Sequence, residues 1–189
     1  MLQPKLLKKV LAILEEHHID YMITGSLVSS IQGEPRTTHD IDILVNITRA
    51  SIPALVNAFQ PPDYYISEAA IEDAIRLKSM FNLLDTKEGD KTDFWILTDD
   101  AFDRSRFNRK VTEKILRLSM DISTPEDTIL MKLKWAKLSG GSEKQFTDAL
   151  RVYEIQFENL DINYIKLWVN YLQVHELWDR LIKEANPII

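Results

Sequence analysis

Two aspartates one residue apart, Asp40 and Asp42, open an otherwise apolar run of Ile41, Ile43, Leu44 and Val45. Side chains alternate faces along a strand, so Asp40, Asp42 and Leu44 share one face and Ile41, Ile43 and Val45 the other. Two like charges at the start of a buried β element are costly unless a cation neutralises them. Hard divalent cations take oxygen ligands, and Mg²⁺ typically uses one or two carboxylates plus substrate phosphates. The pair reads as metal ligands, although taken alone the same pattern also fits solvated acids at a strand-end turn. Residues 91–98 read as another strand, on which Asp93, Trp95 and Leu97 share a face. If that strand lies beside the first, three carboxylates meet at one point of a sheet. That is a ligand set for two Mg²⁺ ions acting on a phosphoryl group. Asp85, Asp90, Asp99 and Asp100 lie nearby and no fixed spacing decides among them. Asp93 is preferred because it starts an apolar strand, as Asp40 does.

Upstream, Gly25-Ser26 falls between a strand at 20–24 and a short helix at 27–32. A glycine there lets backbone N–H groups approach a phosphate, and a helix N-terminus favours anions. Ser26 adds a hydroxyl. Arg36 could pair with a triphosphate, and a hydroxyl of Thr37 or Thr38 could bond a phosphate oxygen. His39 faces the side of the strand opposite Asp40. The same stretch is also consistent with a tight turn, a helix cap and a solvated loop.

Taken together, Gly25-Ser26 and the later Asp40-x-Asp42 resemble the signature of the polymerase-β-type nucleotidyltransferase superfamily. The fuller string, Gly33-x-x-Arg36-x-Thr38-x-Asp40-Ile41-Asp42-Ile43, resembles a narrower set of stand-alone enzymes. These are similar to AbiEii-type toxins and to small aminoglycoside nucleotidyltransferases. Residues 124–134, TPEDTILMKLK, resemble that set's lysine-bearing helix, and Lys144 to Asp148 its later Lys/Arg-x-x-x-Asp element. Gln32 stands where relatives often carry a histidine. The resemblance implies an NTP donor, Mg²⁺ (two ions) at Asp40, Asp42 and Asp93, and a nucleotide held by Gly25, Ser26, Arg36, Thr38, Lys132 and Asp148. It also implies transfer of a nucleoside monophosphate to a hydroxyl, with a toxin role and an antitoxin protein as partner. The helical pattern itself does not separate Lys132 from Lys134 or Lys137, and Asp148 could equally be an i, i+4 partner of Lys144. The alternative reading is a non-catalytic, antitoxin-like or regulatory binding protein on the same fold.

The positioning elements follow from periodicity and punctuation. Helix 4–18 carries Leu6, Leu7, Val10, Leu11 and Leu14 on one face, and Gly33 is placed as a C-terminal glycine cap. A helix at 48–59 is followed by a short strand and helical turn across 64–75. Strands at 76–85 and 91–98 turn around 88–90, a helical turn covers 99–105, and 109–122 forms a hairpin. Beyond Ser123 the chain is helical. Thr124 and Asp161 supply N-caps, Ser142 to Gln145 has a capping-box pattern, and a last helix covers 174–185. Trp135, Trp168 and Trp178 are assigned to the core or to lobe packing. In Ser139-Gly140-Gly141-Ser142, a glycine C-cap followed by a serine N-cap is preferred over a phosphate loop. The expected fold is α/β (α+β), a mixed sheet flanked by helices with a C-terminal helical lobe packed on it, divided as 1–122 and 123–189.

The 189 residues suffice for one core or a core with a small lobe. Without cysteines there are no disulfides or thiolate metal sites, and a reducing cytoplasm is the simplest setting. The N-terminal helix reads as amphipathic rather than as a signal peptide, and no run reaches the roughly 18 apolar residues of a membrane helix. A net charge of −6 argues against a protein that wraps long nucleic acid. One basic run, Arg104, Arg106, Arg109, Lys110, Lys114 and Arg117, could guide an RNA end or another anionic acceptor.

Overall fold

The structure is a computed structural model and describes residues 4–38, 40–115 and 117–187. His39 lies outside them. The chain divides into two compact units: residues 1–24 with 37–122, and residues 25–36 with 123–189. The segment 25–36, which the sequence alone places with its neighbours, thus groups with the C-terminal helices.

In the first unit, α1 (Pro4–Glu16) leads into β1 (Asp20–Thr24). The unit resumes with β2 (Asp40–Asn46), α3 (Ile52–Ala58), β3 (Tyr64–Ile66), α4 (Glu68–Leu77) and β4 (Met80–Asp85). β5 (Lys91–Ile96), α5 (Ala101–Asn108), β6 (Val111–Ile115) and β7 (Leu118–Ile122) complete it. The strands form one sheet in the order β3-β4-β5-β2-β1-β7-β6. β2 is antiparallel to β1 but parallel to β5, so the sheet is mixed. The apolar face of α1 is buried as its periodicity predicts: Leu6, Leu7, Val10, Leu11 and Leu14 are all 3% exposed or less. Phe81 and Phe94, register partners on β4 and β5, stack with ring centroids 4.8 Å apart.

The expected strand at 76–85 is shortened at its start. Ser67 caps α4 by accepting from the Ala70 N–H, and Arg76 pairs with Asp73 one turn earlier. The helix therefore runs through Leu77 and stops at Lys78, whose φ of 51° is left-handed. The expected helix at 48–59 begins with a 3₁₀ turn at Arg49–Ser51.

The second unit contains α2 (Gly25–Gln32), α6 (Pro125–Leu138), α7 (Glu143–Gln156), α8 (Ile162–Leu172) and α9 (His175–Glu184). Thr124 and Asp161 cap α6 and α8 through their side chains, as local sequence predicts. Ser142 makes no side-chain cap for α7; its neighbour Glu143 is instead gripped by both terminal nitrogens of Arg180, at 2.8 and 2.9 Å. Gly140 and Gly141, both at positive φ, turn the chain between α6 and α7. Trp168 and Trp178 are buried, whereas Trp135 is 36% exposed and is not a core residue. The inward face of α6 is filled by Ile129, Leu130, Leu133 and Ala136.

Gly33 also has a different reason from the one expected. It is not at positive φ; a Cβ on it would sit 2.9 Å from the Ser29 carbonyl oxygen and 3.0 Å from the Val152 amide nitrogen. It lets the end of α2 lie against the backbone of α7, where Gln156 Nε2 donates to the Gln32 carbonyl at 2.8 Å. Gly33→Ala should cost about 1–3 kcal/mol, because both obstructing atoms are backbone and cannot step aside. The reading is a lower urea midpoint at unchanged m-value.

Candidate active site

The first unit assembles the carboxylates. In the parallel β2–β5 register, Asp42 lies opposite Asp93 and Asp40 opposite Lys91. Strand alternation therefore puts Asp40, Asp42, Lys91 and Asp93 on one face of the sheet. Leu44 and Trp95 continue that face into an apolar cluster with Met22, Leu97 and Phe107. The acids thus stand at the edge of a packed apolar floor. Asp93 is 9% exposed, Asp42 is half-buried and Asp40 is exposed.

Each carboxylate has a nearby donor. Lys91 Nζ lies 2.9 Å from Asp93 Oδ2 and 3.9 Å from Asp40 Oδ1. Asn82, the antiparallel register partner of Asp93 on β4, donates to Asp93 Oδ1. Trp95 Nε1 donates to Asp42 Oδ1 at 3.2 Å. The hydrogen bond to Asp93 raises the pKa of the Lys91 ammonium; partial burial opposes this, and the charges of Asp93, Asp40 and Asp42 add to it. The rival aspartates are otherwise engaged. Asp85 accepts from the Lys87 and Glu88 N–H groups, Asp99 pairs with Arg104, and Asp100 caps α5. Asp90, 5% exposed, directly precedes β5 in the connection from β4. Thr38 Oγ1 donates to the Asp40 carbonyl at 3.2 Å.

The second unit assembles cations. Gly25 opens α2 with φ 71°, a conformation that suits glycine. Ser26 Oγ accepts from Arg36 Nη2 at 2.8 Å and from Lys132 Nζ at 3.4 Å. Asp148 is the hub. Arg36 grips it with Nε on Oδ1 at 3.1 Å and Nη2 on Oδ2 at 2.9 Å, and Lys132 Nζ reaches Oδ2 at 2.7 Å. Ser29 Oγ adds a longer contact of 3.5 Å. Burial pushes the Asp148 carboxyl up, but the hydrogen bonds and charges of Arg36 and Lys132 outweigh it and leave the pKa lowered. Lys132 is 3% exposed while Lys134 is only half-buried, so α6 directs the first of the two lysines into this network. The partners of Asp148 are Lys132, Arg36 and Ser29, not Lys144. Two cations against one anion leave a positive excess beside the N-terminal turn of α2, an arrangement that favours a phosphate. A pocket of about 270 Å³ opens beside Arg36 and Asp148, with Ser29, Thr147 and Arg151 in its wall.

Known structures share this architecture. The antibiotic-resistance factor ANT(2″)-Ia, solved with adenylyl-2″-tobramycin, has a TM-score of 0.60 at 12% identity, over 91% of this chain and 97% of its own. A nucleotidyltransferase-like protein from Paracoccidioides brasiliensis gives 0.55 at 16%, over 97% and 94%. The lincosamide antibiotic adenylyltransferase LnuA, bound to lincomycin, gives 0.54 at 16%, over 82% and 98%. The chain has the polymerase-β-type nucleotidyltransferase fold. This is the fold that Gly25-Ser26 and Asp40-x-Asp42 led us to expect. No family model matches the sequence, and no curated protein matches it either.

On this nucleotidyltransferase fold the donor set of the first unit suits a hard divalent cation: carboxylate oxygens at adjacent register positions on one face. Among the described residues, no three His, Cys, Asp or Glu side chains are closed into a metal cage. Asp93 is turned to Lys91 and Asn82, and Asp42 to Trp95. Lys91, Asn82 and Ser29 were not legible as site residues. The available signal was spacing: Lys91 sits two residues before Asp93 and Ser29 three after Ser26.

The basic run is partly spent on its own unit. Arg104 pairs with Asp99, the buried Arg106 with Asp103 at 2.9 Å, and Lys110 with Asp20. Lys110 also lies 4.1 Å from the centre of the Phe107 ring. Among the described residues, no helix is long and apolar enough to cross a membrane.

Proposed function

We propose that this protein transfers a nucleoside monophosphate from an NTP to an acceptor hydroxyl in an Mg²⁺-dependent reaction. The acceptor oxygen bonds to the α-phosphorus, the bond to the β-phosphate oxygen breaks, and pyrophosphate leaves with that electron pair. A carboxylate oxygen of Asp93 takes the hydroxyl proton. Asp40, Asp42 and Asp93 hold the metal, as two ions in the fuller version of the proposal. When bound, Mg²⁺ supplies charge neutralisation of the triphosphate and a lowered pKa for the attacking hydroxyl. Lys132, Arg36 and the turn at Gly25 and Ser26 bind phosphate oxygens, with Asp148 fixing both cations in place. Thr38 adds a hydroxyl once its local bond is released.

The observation that carries this reading is the parallel register setting Asp42 beside Asp93 with Asp40 on the same face. A sheet has no structural need for three such acids, since each costs desolvation and repulsion. For the acceptor, two neighbours were solved with tobramycin and lincomycin chemistry. A net charge of −6 and the internal pairing of Arg104, Arg106 and Lys110 favour a cationic small molecule over an RNA end. If the acceptor is instead tRNA or a protein, the AbiEii-like resemblance makes a toxin role, with an antitoxin partner, the natural extension. Calorimetry of ATP with and without Mg²⁺ tests the donor side. Binding should require the metal. Its absence in both conditions would favour a non-catalytic scaffold.

A further inference from the structure

One side chain in the carboxylate cluster has no part in the reaction proposed above. Lys91 stands opposite Asp40 in register and two residues before Asp93, so its stem rises on the same face as all three acids. Its ammonium is within 4 Å of carboxylate oxygens from two of the three acids, Asp93 at 2.9 Å and Asp40 at 3.9 Å. We propose that Lys91 is the built-in counter-ion of the cluster, competing with a divalent cation for oxygens of Asp93 and Asp40 and so setting how tightly metal is held. The inference rests on the reading of Asp40, Asp42 and Asp93 as metal ligands.

The two donors on Asp93 are not equivalent. Asn82 belongs to the neighbouring strand, opposite Asp93, and its short side chain is fixed by the ladder. Lys91 has a long flexible stem, and its side chain is 35% exposed, so it can withdraw its head into water at little cost. Lys91 is therefore the partner that yields. A cation on the ligands opposes a second cation at contact distance, and the opposition is strongest where water is partly excluded. A bare metal ion must overcome it. A metal ion arriving with a triphosphate brings oxygens that can accept the displaced ammonium. Lys91 thus biases the site toward metal–nucleotide over metal alone.

The test is calorimetric titration of MnCl₂, without nucleotide, into the full chain and into Lys91→Gln, Lys91→Arg, Lys87→Gln and Asp42→Asn. Lys87→Gln removes the same charge from an ammonium that pairs with Asp63 instead, at 2.8 Å. Lys91→Gln should bind Mn²⁺ about tenfold more tightly than the natural chain. Lys91→Arg and Lys87→Gln should leave affinity unchanged. Should the glutamine variant fail to fold, Lys91→Met takes its place. Equal affinity in the natural chain and Lys91→Gln, with binding lost in Asp42→Asn, would overturn the counter-ion and leave the metal site standing. Equal tightening in Lys87→Gln would reduce the effect to net charge and overturn it too. No Mn²⁺ binding in any of the five proteins would overturn the metal site, and the counter-ion with it.

Discussion

Asp42→Asn should abolish nucleotide transfer, by at least about a thousandfold, while leaving the fold intact. The substitution keeps the shape of the side chain. Its amide oxygen can still accept from Trp95 Nε1, which now donates to Asp42 Oδ1 at 3.2 Å. What disappears is one negative charge from a face that also carries Asp40 and Asp93. Removing a like charge relieves repulsion, so the melting temperature should hold or rise slightly. Loss of turnover without loss of stability distinguishes a ligand from a packing residue. Single-turnover rates and thermal melts on the same preparation give both numbers.

Lys132→Met should destabilise the second unit. Methionine nearly matches the stem, so little packing is lost, but the ammonium that reaches Asp148 Oδ2 at 2.7 Å is gone. The side chains of Lys132 and Asp148 are 4% and 10% exposed, so the carboxylate that loses this partner is largely cut off from water. Breaking a buried pair from one side typically costs about 3–5 kcal/mol. Arg36 still grips both oxygens, so a loss of about 2–3 kcal/mol is expected, or roughly 4–12 °C in melting temperature for a chain of this size. The acid limb of stability moves too. Because the folded-state pKa of Asp148 is lowered, its ion pairs contribute fully above the unfolded value, about 3.9, and are lost as pH falls through the lowered one. Without Lys132 that carboxyl moves back toward its unfolded value, so less stability is lost on acidification and the loss is complete at a higher pH. Melting curves from neutral pH down to about pH 3 would show the shift. Superimposable acid limbs would mean that Lys132 does not pair with Asp148 in solution.

Much of this was legible because the signals are local. A Thr or Asp before a helical run caps it through its own side chain, and Thr124 and Asp161 do so. Alternation fixed the face of Asp40 and Asp42 without any partner strand. Other features depend on residues far away in the chain. Gly33 looks like a helix cap until Val152 is found against it. The capping-box pattern at Ser142 to Gln145 is not realised, since the Ser142 side chain makes no cap bond to α7. Helix α6 is apolar nearly all round, so periodicity could not orient it, and only tertiary packing distinguishes the buried Lys132 from Lys134 and leaves Trp135 exposed. Asp93 lies between the two cases. Its apolar strand context was readable, but its place opposite Asp42 is a property of the register.

The central claim, that these carboxylates serve transfer of a nucleoside monophosphate, is tested most directly by following the α-phosphate. The natural chain and Asp42→Asn would each be incubated with Mg²⁺ and α-labelled NTPs in turn, against candidate acceptors from hydroxylated antibiotics to tRNA. The natural chain should move the label onto one acceptor and release unlabelled pyrophosphate in equal amount, and Asp42→Asn should do neither. Equal transfer by the two proteins, or a label that never leaves the nucleotide with any acceptor, would contradict the account.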